Sequence, residues 1–280
     1  MRSWQFILIF IISVKLYSCG NFVTQQQSRL SISGGEVIDS QEFPSVIMLY
    51  NEMTHTVCTG TFVTHDTVLT AAHCIGENSD EYKEVQHSIR LWESTVVNGV
   101  PSFQGTKASV SVHIHPQWIS ESKRKVVNQF DLGIVLFPPN TATEVASLAH
   151  QSPRSQEKVT IVGYGLPGYL ADGSEASVKV GTKRKGVNRI AGLFQGLIYI
   201  KDFSQKGPDE GISELNGWAR TAPGDSGGPM FIDQKLVGIT AGGGQISAKK
   251  GFSAYVNLHS VSSGNFLRSH QVNLQLESEF

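Results

Sequence analysis

Short apolar runs separated by turn residues dominate this chain from Ile32 onward. Gly, Pro, Asn and Asp break these runs, and glycine alone accounts for 28 of the 280 residues. Many short strands joined by glycine-rich turns indicate β-barrels or a β-sandwich. The predicted strands lie at residues 45–50, 109–114, 158–163, 196–202, 235–240 and 252–258. We therefore expect an all-β fold, with helical patterns only at residues 71–75 and after Ser260.

The composition allows a sizeable core and gives no sign of a nucleic-acid partner. Apolar residues make up 40% of the chain, charged residues make up 17%, and the net charge is −1. A nucleic-acid-binding surface normally leaves a basic stripe in the sequence, and none is evident here. Residues 138–153 form a polar stretch that begins with two prolines. We predict that this stretch separates two strand-rich halves.

Residues 1–19 have the features of a secretory signal peptide. Arg2 gives a positive start, and the apolar run Phe6–Val14 is shorter than a membrane span. Residues 16–19 resemble a bacterial lipobox, which predicts cleavage before Cys19 and lipidation of its thiol. Plain secretion, with cleavage after Ser18 or Gly20, fits the same pattern. Both routes predict export, as a secreted protein or as a membrane-anchored lipoprotein of a bacterial envelope, and residues 20–31 would then form a flexible polar leader.

The cysteine count supports an export route. Once Cys19 is removed or lipidated, Cys58 and Cys74 remain as an even pair, and an exported protein normally uses such a pair as a disulfide. Two thiols alone do not complete a tetrahedral metal shell, and His113 and His115 lack a further ligand. We therefore predict a Cys58–Cys74 disulfide, no metal site, and surface-loop positions for the two histidines.

The stretch Gly224-Asp225-Ser226-Gly227-Gly228-Pro229 carries the clearest chemical signal. A serine between glycines in a tight turn brings its hydroxyl and nearby backbone N–H groups to one point, as acyl transfer requires. His73 follows an apolar strand, which places its imidazole at a strand end where it can act as a base. Asp131 opens the apolar run Leu132–Phe137, where a carboxylate is costly unless it is hydrogen-bonded. Each residue alone has an ordinary structural explanation, but together they predict a triad of Ser226, His73 and Asp131.

Other motifs accompany the three candidate catalytic residues in a fixed order. They are Ile32-Ser33-Gly34-Gly35, Thr70-Ala71-Ala72-His73-Cys74, His115-Pro116-Gln117-Trp118, Asp131-Leu132-Gly133-Ile134, Gly163-Tyr164-Gly165, the serine motif and Leu236-Val237-Gly238-Ile239. In this order they resemble the trypsin/chymotrypsin family of serine proteases, from Ile32 to about Leu258. The resemblance implies two antiparallel six-stranded β-barrels with the active site in the cleft between them, and a short C-terminal helix. The protease domain would span residues 32–262, with barrels at about 32–140 and 150–262, followed by a helical tail at 263–280.

The same resemblance implies roles for individual residues. His73, Asp131 and Ser226 would be catalytic, and the N–H groups of Gly224 and Ser226 would form the oxyanion hole.

The resemblance also implies a zymogen. Cleavage before Ile32 would release an amine that pairs with the carboxylate of Asp225 and orders the oxyanion turn. The cut would follow Ser31 rather than a basic residue, which argues against self-activation by trypsin-like cleavage.

The pocket that would receive the substrate side chain departs from the family pattern. Arg220 stands at its base, where family members that cut after Lys or Arg carry an acid. An arginine would repel basic side chains and bind acidic ones through a bidentate contact. The alternative is that Arg220 turns to solvent, because a buried unpaired guanidinium is costly. Gly243 and Gly251 would leave the pocket mouth open, and Ala222 replaces one cysteine of the family's pocket disulfide.

The resemblance implies an exported, monomeric serine endopeptidase that hydrolyses peptide bonds through an acyl-enzyme intermediate. Its substrates would be proteins or peptides, and it would need no metal or organic cofactor. The alternative is a catalytically silent homologue that acts as a binding or regulatory module. Such homologues usually lose a triad residue, and this chain retains all three, which favours the enzyme.

Overall fold

Two antiparallel β-sheets make up the body of the molecule in a computed structural model. The structure describes residues 32, 35–76, 85–97, 100–121, 127–165, 181–201, 219–247 and 250–272. Each sheet encloses an apolar core, and a third apolar cluster joins residues of both sheets.

The first sheet curls into a half-barrel. Its seven strands are β2 (Val46–Asn51), β3 (Thr56–Phe62), β4 (Thr67–Thr70), β5 (Ile89–Val97), β6 (Val100–Ala108), β7 (Ser111–Ile114) and β8 (Gly133–Leu136). They are hydrogen-bonded in the order β6-β5-β2-β3-β4-β8-β7. Strand β8 is the apolar run that follows Asp131, and it lies between β4 and β7 with Gly133, Ile134 and Val135 buried. The run is continuously apolar because both faces of the strand are covered: Ile134 packs in one apolar cluster and Val135 in another.

The second sheet closes into a six-stranded barrel. Its strands are β9 (Lys158–Gly163), β10 (Arg184–Phe194), β11 (Leu197–Lys201), β12 (Pro229–Ile232), β13 (Lys235–Ser247) and β14 (Lys250–Asn257). The barrel closes because β10 pairs with both β9 and β11. A two-residue strand, β1 (Glu36–Val37), pairs with the start of β10 on the side opposite β9.

Short helices cover parts of the two sheets. They are α1 (Ala72–Ile75), α2 (Pro116–Glu121) and α3 (Val261–Ser269), with a 3₁₀ turn at Val85–His87. Ser260 caps α3, because its hydroxyl accepts a hydrogen bond from the N–H of Ser263. Among the described residues, no helix has the length and apolar character needed to cross a membrane.

The all-β, two-barrel prediction is confirmed, as are the helical patterns at residues 71–75 and after Ser260. Two details differ. The first barrel is a curled seven-stranded sheet, and β1 joins the second barrel although the predicted division placed residues 32–140 in the first. Residues 138–153 contain no strand or helix apart from one isolated bridge between Leu148 and Leu236, as expected for a connection.

Two local predictions are wrong for physical reasons. The strand predicted at residues 109–114 begins only at Ser111. Before it, Val110 is 49% exposed, and Ser109 is buried with its hydroxyl donating to the carbonyl of Gln86. Neither His113 nor His115 lies on a surface loop. His113 is half-buried in β7 with its ring beside that of His270, and His115 is buried beside α3 and hydrogen-bonds to Ser262.

Candidate active site

His73 and Asp131 meet through two hydrogen bonds. The backbone N–H of His73 donates to Oδ1 of Asp131 over 2.9 Å, and Nδ1 of the imidazole lies 2.7 Å from Oδ2. Asp131 is 2% exposed, whereas the histidine side chain is 29% exposed. Because a carboxylate only accepts hydrogen bonds, it favours the tautomer with the proton on Nδ1 and leaves the lone pair on Nε2. The contact with Asp131 therefore orients the imidazole as a base.

The serine lies in a sharp turn, residues 222–228, called the nucleophile turn below. Gly224 and Gly227 adopt φ values of 94° and 79°, a region that favours glycine. A Cβ on Gly227 would also collide with Oγ1 of Thr70 and the carbonyl of Thr59. The glycines of the motif thus serve the backbone path and its close packing against β3 and β4.

Two N–H groups of the nucleophile turn are available to a ligand. The N–H of Asp225 donates to the carbonyl of Ala222 over 3.0 Å, and that of Gly227 donates to Thr240 over 2.9 Å. In the described part of the chain, the N–H groups of Gly224 and Ser226 donate to no protein acceptor. An oxyanion hole made of the Gly224 and Ser226 N–H groups requires that both donors be left unbonded in this way.

The nucleophile turn and the histidine turn are adjacent. The carbonyl oxygen of Ser226 lies 3.6 Å from the sulfur of Cys74, the residue that follows His73. Cys74 forms the predicted disulfide with Cys58, which ties the histidine turn to β3. These cysteines and His73 form a cluster of potential metal ligands, but both sulfurs are used in the disulfide.

Asp225 lies fully buried against the backbone of residues 163–165. A Cβ on Gly163 or Gly165 would collide with its carboxylate, so both glycines are needed to make room for it. The N–H of Gly165 donates to Oδ1 over 2.7 Å, and the N–H of Ala222 donates to Oδ2 over 2.8 Å. The backbone N–H of Ile32, which is buried nearby, is a further donor. Burial nevertheless raises the pKa of Asp225 to about 6, because these bonds only partly replace the lost hydration.

Arg184 lies on the same side of the sheet as Asp225 and was not singled out from the sequence. It pairs directly with Gly163 across the ladder between β10 and β9, and such partners project from one face. The missing side chain of Gly163 would point at Asp225, so the Arg184 side chain leaves the sheet beside that carboxylate. Its charge favours the ionised form of Asp225, while burial lowers the pKa of Arg184 itself. No sequence motif marks this arginine.

Thr59 in β3 is a second residue that sequence reasoning missed. It is fully buried and makes hydrogen bonds to Ser226, Gly224 and Tyr164. These partners lie more than 100 positions along the chain, and a threonine in a β-strand carries no signal of such contacts.

The predicted pocket residues come together at the ends of β13 and β14. The guanidinium of Arg220 lies against Gly251, where any Cβ would collide with it. Beside Arg220, the hydroxyl of Ser253 accepts hydrogen bonds from the N–H of Thr221 over 3.0 Å and from its hydroxyl over 2.8 Å. Gly243 is exposed and pairs with Ser253 across the ladder. The predicted lipidation site Cys19, the signal peptide and the leader lie outside the described residues.

The half-barrel and the closed barrel meet at a His–Asp pair and a serine bounded by glycines. This arrangement defines the two-barrel class of serine endopeptidases. A family model described as Trypsin matches residues 32–263. The chain therefore belongs to the trypsin family, and its expected activity is hydrolysis of proteins or peptides.

Individual relatives are distant but cover most of the chain. The trypsin of Saccharopolyspora erythraea is 23% identical over 224 residues, which cover 76% of this chain and 86% of that protein. The cercarial protease of Schistosoma mansoni is 27% identical over 254 residues, covering 86% and 89%. Among solved structures, a mouse neuropsin has a TM-score of 0.59 at 19% identity, covering 85% of this chain and 98% of its own. A Glu endopeptidase has a TM-score of 0.58 at 16% identity, covering 86% and 98%. At these identities the two structures support the fold alone.

Proposed function

We propose that the protein is an exported serine endopeptidase that uses Ser226, His73 and Asp131. The observation that carries the proposal is the two-point contact of the buried Asp131 with His73, which leaves Nε2 as the base. Nε2 takes the proton of Ser226 as its Oγ attacks the scissile carbonyl carbon. The oxyanion forms against the N–H groups of Gly224 and Ser226. His73 then returns the proton to the leaving amine, and water attacks the acyl-enzyme by the same route.

Covalent labelling by a fluorophosphonate probe tests this activity. The probe should label the mature wild-type protein, cleaved before Ile32, and the label should disappear in Ser226→Ala and in heat-denatured protein. Failure of this folded mature protein to react would support the alternative, a catalytically silent homologue used as a binding or regulatory module. Size-exclusion chromatography of the same sample tests the proposed monomer.

Activation is proposed to follow cleavage between Ser31 and Ile32. Ile32 is buried in the second barrel, and its backbone N–H is directed at Asp225 in the uncleaved chain. A free ammonium at this position would add a positive charge beside a carboxylate whose pKa burial has raised. N-terminal sequencing of the active protein is the direct test, and a start other than Ile32 would contradict the proposal.

Export is proposed to follow removal of the signal peptide, with cleavage before Cys19 or after Gly20. Intact mass measurement of the precursor from its native source, before the cut at Ile32 removes the leader, should show loss of at least residues 1–18. A lipid mass on this precursor that disappears in Cys19→Ser would establish the bacterial-envelope lipoprotein, and an unlipidated precursor would establish free secretion. Retention of residues 1–18 would overturn both routes.

The proposed substrate preference is for an acidic residue before the scissile bond. The contact of Arg220 with Gly251 and the neighbouring hydroxyls of Thr221 and Ser253 support it, because a guanidinium beside hydroxyl groups suits a carboxylate. Matched peptides that differ only in Glu or Lys at this position measure the preference. Glu should be favoured, and Arg220→Gln should lower the Glu/Lys ratio by about 10-fold or more. Faster cleavage after Lys by the wild type would contradict the proposal.

A further inference from the structure

We propose that Thr59 is a positioning residue that holds the nucleophile turn in its catalytic conformation. The proposal rests on the function proposed above, since it concerns the same site. Thr59 belongs to the first sheet, whereas the nucleophile turn belongs to the second, so the catalytic geometry depends on a contact between them.

Thr59 holds the two residues of the candidate oxyanion hole by their carbonyl groups. Its backbone N–H donates to the carbonyl of Ser226 over 2.8 Å, and its hydroxyl donates to the carbonyl of Gly224 over 2.9 Å. The N–H groups of the same two residues have no protein acceptor in the described structure. Fixing the carbonyls sets the backbone orientation without using the N–H donors that a substrate needs.

The direction of the hydroxyl proton is determined by a second contact. The N–H of Tyr164 donates to Oγ1 of Thr59 over 3.0 Å, so the hydroxyl accepts on that side. Its single proton is then directed to Gly224. Tyr164 lies between the two glycines that make room for Asp225, and one hydroxyl therefore connects the nucleophile turn to the backbone around that carboxylate.

Thr59 also connects the nucleophile turn to the histidine. Its carbonyl accepts a hydrogen bond from the hydroxyl of Thr70 over 2.9 Å, three residues before His73. The preceding residue, Cys58, is bonded to Cys74 on the other side of His73. The strand segment at Thr59 thus contacts both parts of the catalytic centre.

Three variants separate positioning from general packing. Thr59→Val keeps the shape and the backbone N–H but removes the hydroxyl, and Thr59→Ser restores the hydroxyl. Thr61→Val is the matched control, because Thr61 is equally buried two residues further along β3 and its hydroxyl has no hydrogen-bond partner among the described residues. Steady-state kinetics on a chromogenic peptide, normalised to active sites titrated with the fluorophosphonate probe, give kcat and KM for folded enzyme only.

In Thr59→Val, kcat should fall by about 10- to 100-fold while KM changes by less than about 3-fold, because the oxyanion donors move while the binding cleft persists. Thr59→Ser should recover most of kcat, and Thr61→Val should equal the wild type. A Thr59→Val enzyme with wild-type kcat per titrated site would overturn the proposal, even if it were less stable.

Amide hydrogen exchange tests the same inference without using activity. In Thr59→Val, the N–H groups of Asp225 and Gly227 should exchange at least about 10-fold faster than in the wild type and in Thr61→Val. If the mature wild-type protein, cleaved before Ile32, does not react with the probe, the proposed function fails and this measurement alone decides on Thr59. Unchanged exchange across residues 222–228 would then overturn the positioning role.

Discussion

At the scale of single residues, Asp131 determines what His73 can do. One carboxylate oxygen fixes the backbone of His73, and the other fixes Nδ1 of its ring. In Asp131→Asn the side-chain NH₂ group can face Nδ1, which favours the opposite tautomer and puts the proton on Nε2. We expect kcat to fall by about 10⁴-fold with little change in melting temperature. A loss of activity below tenfold, measured per folded molecule, would show that Asp131 does not orient the base.

Single residues could be singled out from the sequence only where they stand in a local pattern. Ser226, His73 and Asp131 could be singled out because each stands in a recognisable local pattern, and the Cys58–Cys74 disulfide followed from a count of three cysteines. Thr59 and Arg184 could not be singled out, because their significance lies in contacts that only the folded chain creates. His113 and His115 were misassigned because two histidines at alternate positions give no sign of the helix that packs beside them.

At the scale of structural elements, β9 and the turn after it form the backbone surface on which Asp225 lies. A methyl group at Gly163 would overlap Oδ1 of Asp225, so Gly163→Ala should displace either the strand or the carboxylate. We expect it to lower the free energy of unfolding by about 2 kcal/mol or more and to reduce probe labelling. Gly192→Ala in β10 is the matched control, because nothing lies within 4 Å of its Cβ position. Chemical denaturation of both variants measures the difference, and equal stability would contradict the assigned packing.

The docking of α3 on β7 is predicted to weaken in acid. The ring of His113 lies 4.5 Å from that of His270, and His115 is bonded to Ser262 at the start of α3. Burial lowers the pKa of His113 and His115 below 6.5, and the nearby His270 lowers that of His113 further. Since the folded state favours the neutral rings, their full contribution to the stability of this docking is present above about pH 6.5. That contribution is lost as the pH falls below this value.

Amide exchange along α3 at pH 7.5 and pH 5 measures this effect. In acid, the amides of α3 should lose more of their protection from exchange than the amides of β12. This loss should be smaller in His113→Gln. His65→Gln, at an exposed side chain on the loop after β3, is the control and should behave as the wild type. Equal pH dependence in His113→Gln and the wild type would exclude this histidine as a cause.

At the scale of the whole molecule, the strand pattern and the order of motifs were sufficient to predict two barrels with the site between them. They were not sufficient to predict which barrel the first strand, β1, joins. Strand β1 crosses to the second barrel because Ile32 fills an apolar position there, in a cluster with Ile161, Ile190 and Tyr255. The barrel that β1 joins depends on the long-range packing of side chains such as Ile32, and the sequence is equally apolar in both halves. The start of the described chain is thereby brought to Asp225.

This arrangement predicts that cleavage before Ile32 reverses the pH dependence of stability. In the uncleaved chain the folded pKa of Asp225, about 6, lies above its ordinary value of 3.8. The folded state therefore favours the protonated acid, and the contribution of Asp225 to stability is greatest below about pH 4 and is lost as the pH rises through 6. The two-unit shift corresponds to roughly 3 kcal/mol. In a chain that begins at Ile32, the new ammonium favours the ionised carboxylate, and stability should instead be lost as the pH falls.

Denaturation curves between pH 4 and pH 8 distinguish these slopes in a Ser226→Ala background, which prevents self-digestion. The uncleaved chain should lose stability toward neutral pH relative to its Asp225→Asn variant, and the cleaved chain should gain stability. Acetylation of the new Ile32 amine is the control, because it removes the charge while keeping the cut, and it should restore the slope of the uncleaved chain. If cleaved and uncleaved chains showed the same slope, the ammonium would not reach Asp225, and the buried carboxylate would depend on its backbone donors and Arg184 in both forms.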